Sequence, residues 1–426
     1  MTPRSNTDNN TVPGNDAVNG SGAVTDAKPS VTANQHSAEA AIDLDRFADI
    51  RPYHDEEVEA VLARLAHDSE LLDAITRFRL PRLARFAPPL ARALASFRLQ
   101  REMRGVKTVR DLQLRIADYM AHMISHSTRG FTVEGLDRLD ANQAYLFIGN
   151  HRDIAMDPAF VNYALYSEGH DTVRIAIGDN LLQKPFVTDL MRLNKSFIVP
   201  RSAKGKRAML AAYQSLSGYI RHSITDDNHS VWMAQREGRA KDGIDRTDSA
   251  IVKMLCMARR LEEGDSDIGQ AVQELKIVPV SISYEYDPCA INKARELHAK
   301  ETDGAYQKVE FEDIFSIVAG ITGDKGRVKL KFGTPLSSDF ESADQVAEEI
   351  DRQVLENYPT FPSHQLALAE TGLAPELVDL SGVTPEDRER FQTQLAAVPD
   401  ALRHWWLLQY ANPILNRAGK AHSRDA

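Results

Sequence analysis

Between Phe131 and Phe340 the chain alternates short apolar runs with helical patterns, and this alternation constrains the fold more tightly than anything else in the sequence. Runs of β-branched, aromatic and other apolar residues fall at 144–149, 173–177, 196–199, 230–234, 277–284 and 327–332. Helical stretches lie between them at 158–167, 181–192, 205–222 and 247–262. Runs of that length bounded by turn residues predict strands, and strands separated by helices predict a mainly parallel sheet covered by helices. An α/β domain over 129–340 follows, with Phe131–Leu136 read as a strand and turn leading into it.

The flanks read differently. Residues 1–42 are rich in Asn, Ser, Thr, Gly, Asp and Ala and hold no aromatic residue, so the expectation is a disordered tail. Residues 43–128 are helical by pattern: Val58, Val61, Leu62 and Leu65, then Leu71, Leu72 and Ile75, mark buried faces, and 109–124 is a further helix. Within this region, 76–110 carries nine arginines and one lysine against a single acid, Glu102. Phe78, Phe86, Leu90, Leu94 and Phe97 lie among them, a composition that suits an anionic lipid interface. Pro81, Pro88 and Pro89 interrupt the run, which leaves the alternative of an apolar face packed on its own domain. From 341 to 426 helices are expected at 343–357, 363–371 and 385–411, with Trp405 and Trp406 as core packing of a helical cap.

A net charge of -10 argues against nucleic acid as the main partner. Two cysteines provide neither a disulfide framework nor a cysteine metal site, which suits a reducing cytoplasm. No stretch of 18 apolar residues and no basic-then-apolar leader is visible. The expected location is therefore cytoplasmic, with any membrane contact peripheral.

Chemistry concentrates where the run Ala144–Gly149 stops and hands over to Asn150-His151-Arg152-Asp153-Ile154-Ala155-Met156-Asp157-Pro158. Asp157-Pro158 is a natural helix start, so His151 should sit in a tight turn between a strand end and a helix N-terminus. Open α/β sheets place their sites at that edge. Three further blocks follow in order. They are Ser196-Phe197-Ile198-Val199-Pro200-Arg201, then Gln235-Arg236-Glu237-Gly238-Arg239-Ala240-Lys241, and Ile277-Val278-Pro279-Val280.

In content and order these blocks resemble those of the glycerolipid acyltransferases, the glycerol-3-phosphate and lysophosphatidate acyltransferase family, over roughly residues 130–340. Three departures are visible. His151 and Asp157 are separated by five intervening residues rather than four, with Met156 at the usual acid position; Val199-Pro200 puts one extra residue before Arg201; and Arg239 follows Gly238 directly. The resemblance implies transfer of a fatty acyl group from acyl-CoA or acyl carrier protein to a hydroxyl of glycerol 3-phosphate or a lysophospholipid. No cofactor beyond the acyl thioester and no metal is implied. His151 would be the general base, Asp157 its preferred partner and Asp153 the rival. Arg201, Arg239 and Lys241 would bind phosphate, and Glu237, next to Gly238, would accept from the glycerol hydroxyl or hold an arginine. Pro279 would shape the wall of an acyl tunnel.

The residue types suit that chemistry independently. A base near neutrality is the task of histidine, and a neighbouring carboxylate fixes its tautomer and stabilises the imidazolium. No Gly-x-Ser-x-Gly elbow appears, so the acceptor hydroxyl attacks directly. His151-Arg152-Asp153 imitates a kinase catalytic loop but lacks the accompanying Gly-rich loop and strand lysine, and Ala203–Arg207 is not a P-loop. His222, Asp226, Asp227 and His229 read as a turn rather than a metal cluster. Two rival readings stay open: an inactive membrane-binding module on the same fold, and an acyltransferase for a non-glycerol acceptor such as an aminolipid.

Overall fold

The computed structural model describes residues 46–309 and 311–421; the expected disordered tail, 1–42, lies outside the described residues. Helices α1 (Asp55–Leu65), α2 (Ser69–Arg79), α3 (Pro81–Phe86), α4 (Pro88–Glu102) and α5 (Val109–Ser127) come first. The central region then runs β1 (Gly130–Glu134), β2 (Leu146–Gly149), α6 (Met156–Ser167), β3 (Arg174–Gly178), α7 (Pro185–Leu193), β4 (Ser196–Val199), α8 (Lys206–Thr225) and β5 (Val231–Ala234). It continues with α9 (Ser249–Leu255), α10 (Met257–Glu262), α11 (Ile268–Leu275), β6 (Ile277–Tyr284), α12 (Ala290–Thr302), α13 (Glu312–Thr322) and β7 (Arg327–Phe332). Helices α14 (Ala343–Asn357), α15 (Pro362–Thr371), α16 (Pro385–Ala396) and α17 (Arg403–Arg417) close the described chain. Both helical flanks belong to one compact unit, Phe47–Ala426.

All six strands expected from the apolar runs form, and the Phe131 strand joins them in a seven-stranded sheet of order β1-β7-β6-β2-β5-β3-β4. Every neighbouring pair is parallel except β6 and β7. Both faces are covered, which is why the strands read as unbroken apolar runs rather than alternating ones. Leu146 and Ile148 of β2 face a core built from α8, α9, α11 and α14, through residues such as Ile220, Val252, Val272 and Ile350. Phe147 faces the opposite core with Phe160, Val161 and Leu165 of α6 and Met120 and Met123 of α5. Successive residues of one strand thus serve two cores, as the two-residue period of a strand requires.

The chain leaves β2 towards β3, which lies beyond β5, and leaves β5 towards β6, which lies beyond β2, so the two connections run in opposite directions over opposite faces of the sheet. Both strands end at the carboxyl edge of the sheet, the edge at which open α/β sheets bind ligands. The segments after these two strands are the His151 block and the Glu237 block.

Prolines 81 and 88 split the basic segment into α3 and α4, each with proline in its first turn. Phe78, Phe86, Leu90, Leu94 and Phe97 remain exposed, Phe86 by 82% and Phe97 by 64%. Trp405 and Trp406 are buried in the core that joins α12, α15, α16 and α17, as expected of cap packing. No helix among the described residues is long and apolar enough to cross a membrane.

Gly135, just after β1, has φ +83, and a β-carbon there would lie 2.3 Å from the Phe332 carbonyl oxygen. Gly135→Ala should therefore cost at least about 1–3 kcal/mol from the left-handed backbone alone. The expected result is a lower urea midpoint with an unchanged slope; an unchanged midpoint would contradict it.

Candidate active site

Strand β2 ends at Gly149, and its ladder with β6 is then continued by a side chain. The Asn150 Oδ1 accepts the Ile282 N–H (2.8 Å) and its Nδ2 donates to the Ile282 carbonyl (3.0 Å). The main chain is thereby free to turn away while the amide stays fixed to β6. His151 follows at once. Its ring meets the Trp232 indole edge-to-face at 5.8 Å between centroids, and its carbonyl accepts the Ala240 N–H at 2.9 Å, which joins the first block to the third.

The extra residue between His151 and Asp157 is absorbed by the turn. Helix α6 begins at Met156, so Asp157 sits in its first turn, where Pro158 needs no N–H partner. The Asp157 Oδ2 lies 2.8 Å from His151 Nδ1 and also accepts the backbone N–H groups of Arg152 (2.6 Å) and Asp153 (2.9 Å). Its Oδ1 accepts the Tyr284 hydroxyl at 2.7 Å. The loop thus wraps around the carboxylate and delivers it to the imidazole despite the longer spacing. Burial and the Asp157 charge hold the Tyr284 hydroxyl well above the ordinary phenol range, so it stays a donor. His151 Nε2 has no partner among the described residues, and the ring borders the main cavity.

Asp153, the rival partner, does something else. Its Oδ1 accepts the N–H groups of Ala155 (3.0 Å) and Met156 (2.9 Å), satisfying donors at the start of α6. Its carboxylate also abuts Gly320 of α13, where a β-carbon would fall 2.3 Å from Oδ2. Burial, with the Asp157 charge beside it, pushes the Asp153 carboxyl up to about 6.

A cavity of about 1050 Å³ opens along the carboxyl edge of the sheet. One stretch is apolar, lined by Met120 and Met123 of α5, Ala159 of α6, Ile177 of β3, and Val187 and Met191 of α7. Another is rich in cations, with Arg201, Arg236, Arg239 and Lys241 on its wall; Lys308 also lines the cavity but pairs with Asp313 at 2.8 Å, and His151 lines it as well. Arg201 pairs with Glu237 at 3.2 Å and reaches the Asn180 amide oxygen at 3.4 Å. Glu237, 73% exposed, is therefore placed to hold an arginine. Gly238 turns the chain with φ +78 and lines the same cavity. Arg239 keeps a buried Nη1 without a hydrogen-bond partner among the described residues. Lys241 is bonded to Glu296 of α12 rather than standing as a free cation, and burial lowers its ammonium from the ordinary range. Pro279 of β6 is not among the residues lining this cavity, so a tunnel-wall role for it is not supported.

Sequence reading did not pick out Tyr284, Asn150 as a ladder mimic, or Trp232 beside the imidazole. Tyr284 was visible only as the last residue of a strand, and nothing in its spacing tied it to Asp157, 127 positions away. Of the metal reading, His222 instead lies 2.8 Å from Asp226, and no group suited to hold a metal occurs among the described residues.

Because Asp153 is held near 6 rather than near 4, the folded state keeps its proton more tightly than the unfolded chain. Its contribution is most favourable below about pH 4 and is lost as pH rises through about 6. Asp153→Asn retains the capping oxygen without the buried charge. It should gain on wild type by roughly 2–3 kcal/mol between pH 4 and pH 7.5 in paired urea titrations; a pH-independent difference would refute this.

Residues 130–284 match a family model described as Acyltransferase. Among solved structures the chain is similar to the 1-acyl-sn-glycerophosphate (LPA) acyltransferase PlsC from Thermotoga maritima. The two share 16% identity over 67% of this chain and 92% of that one, with a TM-score of 0.36. No curated protein matches the chain. The matched stretch spans the His151, Arg201 and Glu237 blocks and the Val278-Pro279-Val280 strand, so it is this central region of the chain that is similar to the Acyltransferase family.

Proposed function

We propose that the protein transfers a fatty acyl group from acyl-CoA or acyl carrier protein to a hydroxyl of glycerol 3-phosphate or a lysophospholipid. The observation that carries this reading is one cavity that combines an oriented histidine, an apolar stretch and a cationic stretch. Asp157 at His151 Nδ1 leaves Nε2 as the proton acceptor. In the reaction Nε2 takes the acceptor hydroxyl proton as the oxygen attacks the thioester carbonyl. Asp157 stabilises the imidazolium. Collapse of the tetrahedral intermediate breaks the carbon–sulfur bond, and the leaving thiolate takes the proton back from Nε2. Nothing beyond the acyl thioester is needed as a cofactor.

Arg201 and Arg239 suit the acceptor phosphate, since a guanidinium presents paired donors to phosphate oxygens. Lys241 supports them through its charge while bonded to Glu296. The apolar stretch suits the acyl chain, which loses about 0.8 kcal/mol of water contact per methylene buried.

His151→Ala should lower acyl-thioester turnover with lysophosphatidate or glycerol 3-phosphate by about 10²–10⁴-fold, the usual contribution of a positioned base. Turnover equal to wild type would reject the reading.

The exposed phenylalanines and leucines of α2 to α4, set among arginines, suit peripheral binding to the cytoplasmic face of a membrane, where anionic headgroups lie. Binding to phosphatidylglycerol vesicles should strengthen with anionic lipid and weaken between 0.05 and 0.5 M salt, a range over which the screening length falls from roughly 14 to 4 Å. Salt-insensitive binding, or none, would exclude this docking mode.

A further inference from the structure

The loop that carries Arg239 and Lys241 is held from two sides by residues to which the proposed chemistry assigns no role. On one side stands Arg152, directly after the histidine and buried. Its guanidinium bonds Asp245 at 2.6 Å and the carbonyls of Gly243 (3.3 Å) and Ala240 (3.4 Å), and it lies over the Tyr358 ring at 5.3 Å. The Arg152 main chain is fixed as well: its N–H goes to Asp157, and its carbonyl accepts Lys293 Nζ at 2.7 Å. On the other side stands α17. Asn412 Nδ2 donates to the Asp242 carbonyl (2.7 Å) and Asn416 Nδ2 to the Asp245 carbonyl (3.0 Å). Gly243, with φ +84, meets α17 so closely that a β-carbon would lie 2.4 Å from the Gln409 carbonyl oxygen.

A surface loop does not need such an anchor. The Arg152 fork bonds one carboxylate and two carbonyls from the same short segment, so it fixes that segment's path as well as its charge. Burial alone would lower the guanidinium, but Asp245 beside it holds it above its ordinary range, so Arg152 stays charged, while burial pushes the Asp245 carboxyl up to about 6. Lysine could keep the charge but not the fork. The same residue carries, on its main chain, a donor to the carboxylate that orients His151.

We propose that Arg152 is a positioning residue that sets the distance between His151 and the cationic stretch, with Asn412 and Asn416 of α17 bracing the far side of the loop. The inference rests on the acyltransferase reading given above. It assigns the C-terminal helix a part in choosing acceptors: the braced loop selects those bearing phosphate, because only their binding depends on where Arg239 and Lys241 stand.

The test measures acyl transfer from acyl-CoA to lysophosphatidate and to monoacylglycerol, which has the hydroxyl without the phosphate, together with acyl-CoA hydrolysis in the absence of acceptor. Arg152→Lys should raise the KM for lysophosphatidate by about ten- to a hundredfold, the scale of an ångström's misplacement. Donor KM, acceptor-free hydrolysis and transfer to monoacylglycerol should stay within about twofold, an allowance well under the tenfold that a 1.4 kcal/mol change represents. Asn412→Leu leaves the buried ion pair in place and should shift the same parameter in the same direction; it carries the test if Arg152→Lys does not fold. Equal losses with both acceptors, or an unchanged lysophosphatidate KM, would overturn the proposal while leaving the acyltransferase reading intact. A wild type that acylates no phosphate-bearing acceptor would overturn both.

Discussion

The carboxylate of Asp157 is the hub on which the site depends. It is fully buried, and a buried carboxylate is tolerated only when its lone pairs are filled. Four donors from three places fill them: the imidazole it orients, two main-chain N–H groups of the turn, and the hydroxyl of Tyr284 at the end of β6. Each donor restrains something different. The imidazole fixes the tautomer, the N–H pair fixes the path of the turn, and the tyrosine ties the start of α6 to the sheet. Removing the carboxylate would orphan several buried donors at once, each costing on the order of 1–3 kcal/mol. One acid thus serves both the proposed chemistry and the fold.

The sheet topology gives that hub its setting. Strand β6 is eight residues long and pairs with β2 only through Val280, so its last four residues overhang the end of β2. The overhang brings Ile282 to Asn150 and Tyr284 to Asp157. On its other edge the same four residues, with Val280, pair with antiparallel β7. The overhang is therefore a paired strand on one side and a wall of the candidate site on the other, held by β7 without a neighbour continuing from β2.

Much of this was legible from residue order. The apolar runs located the strands because both faces of the sheet are buried, and the motif blocks located His151, Arg201 and Glu237. Helix α12 escaped because its buried face includes Lys293 and Glu296, so its apolar residues show no helical period. The antiparallel direction of β7 leaves no trace in a strand's composition. Asp157 could be preferred but not separated from Asp153, since the decision lies in how the turn curls around the carboxylate. Lys241 reads as a free phosphate ligand in one dimension, and only the fold brings Glu296, 55 residues away, against it. The partners of Tyr284 and Arg152 are likewise remote, and no local pattern encodes them.

The Asn150 side chain has a consequence for how the histidine moves. A catalytic group on a loop ordinarily inherits the loop's fluctuations, which belong to the least stable parts of a fold. Here the residue before the histidine is stitched to β6 by both an acceptor and a donor, so the imidazole rides on the sheet's stiffness instead. Only a carboxamide offers that pair of groups on so short a stem: aspartate lacks the donor, and leucine lacks both. The placement of the imidazole is thus set by the amide of its neighbour, and thermal broadening of the His151 position should follow the melting of the sheet rather than the softening of its own turn.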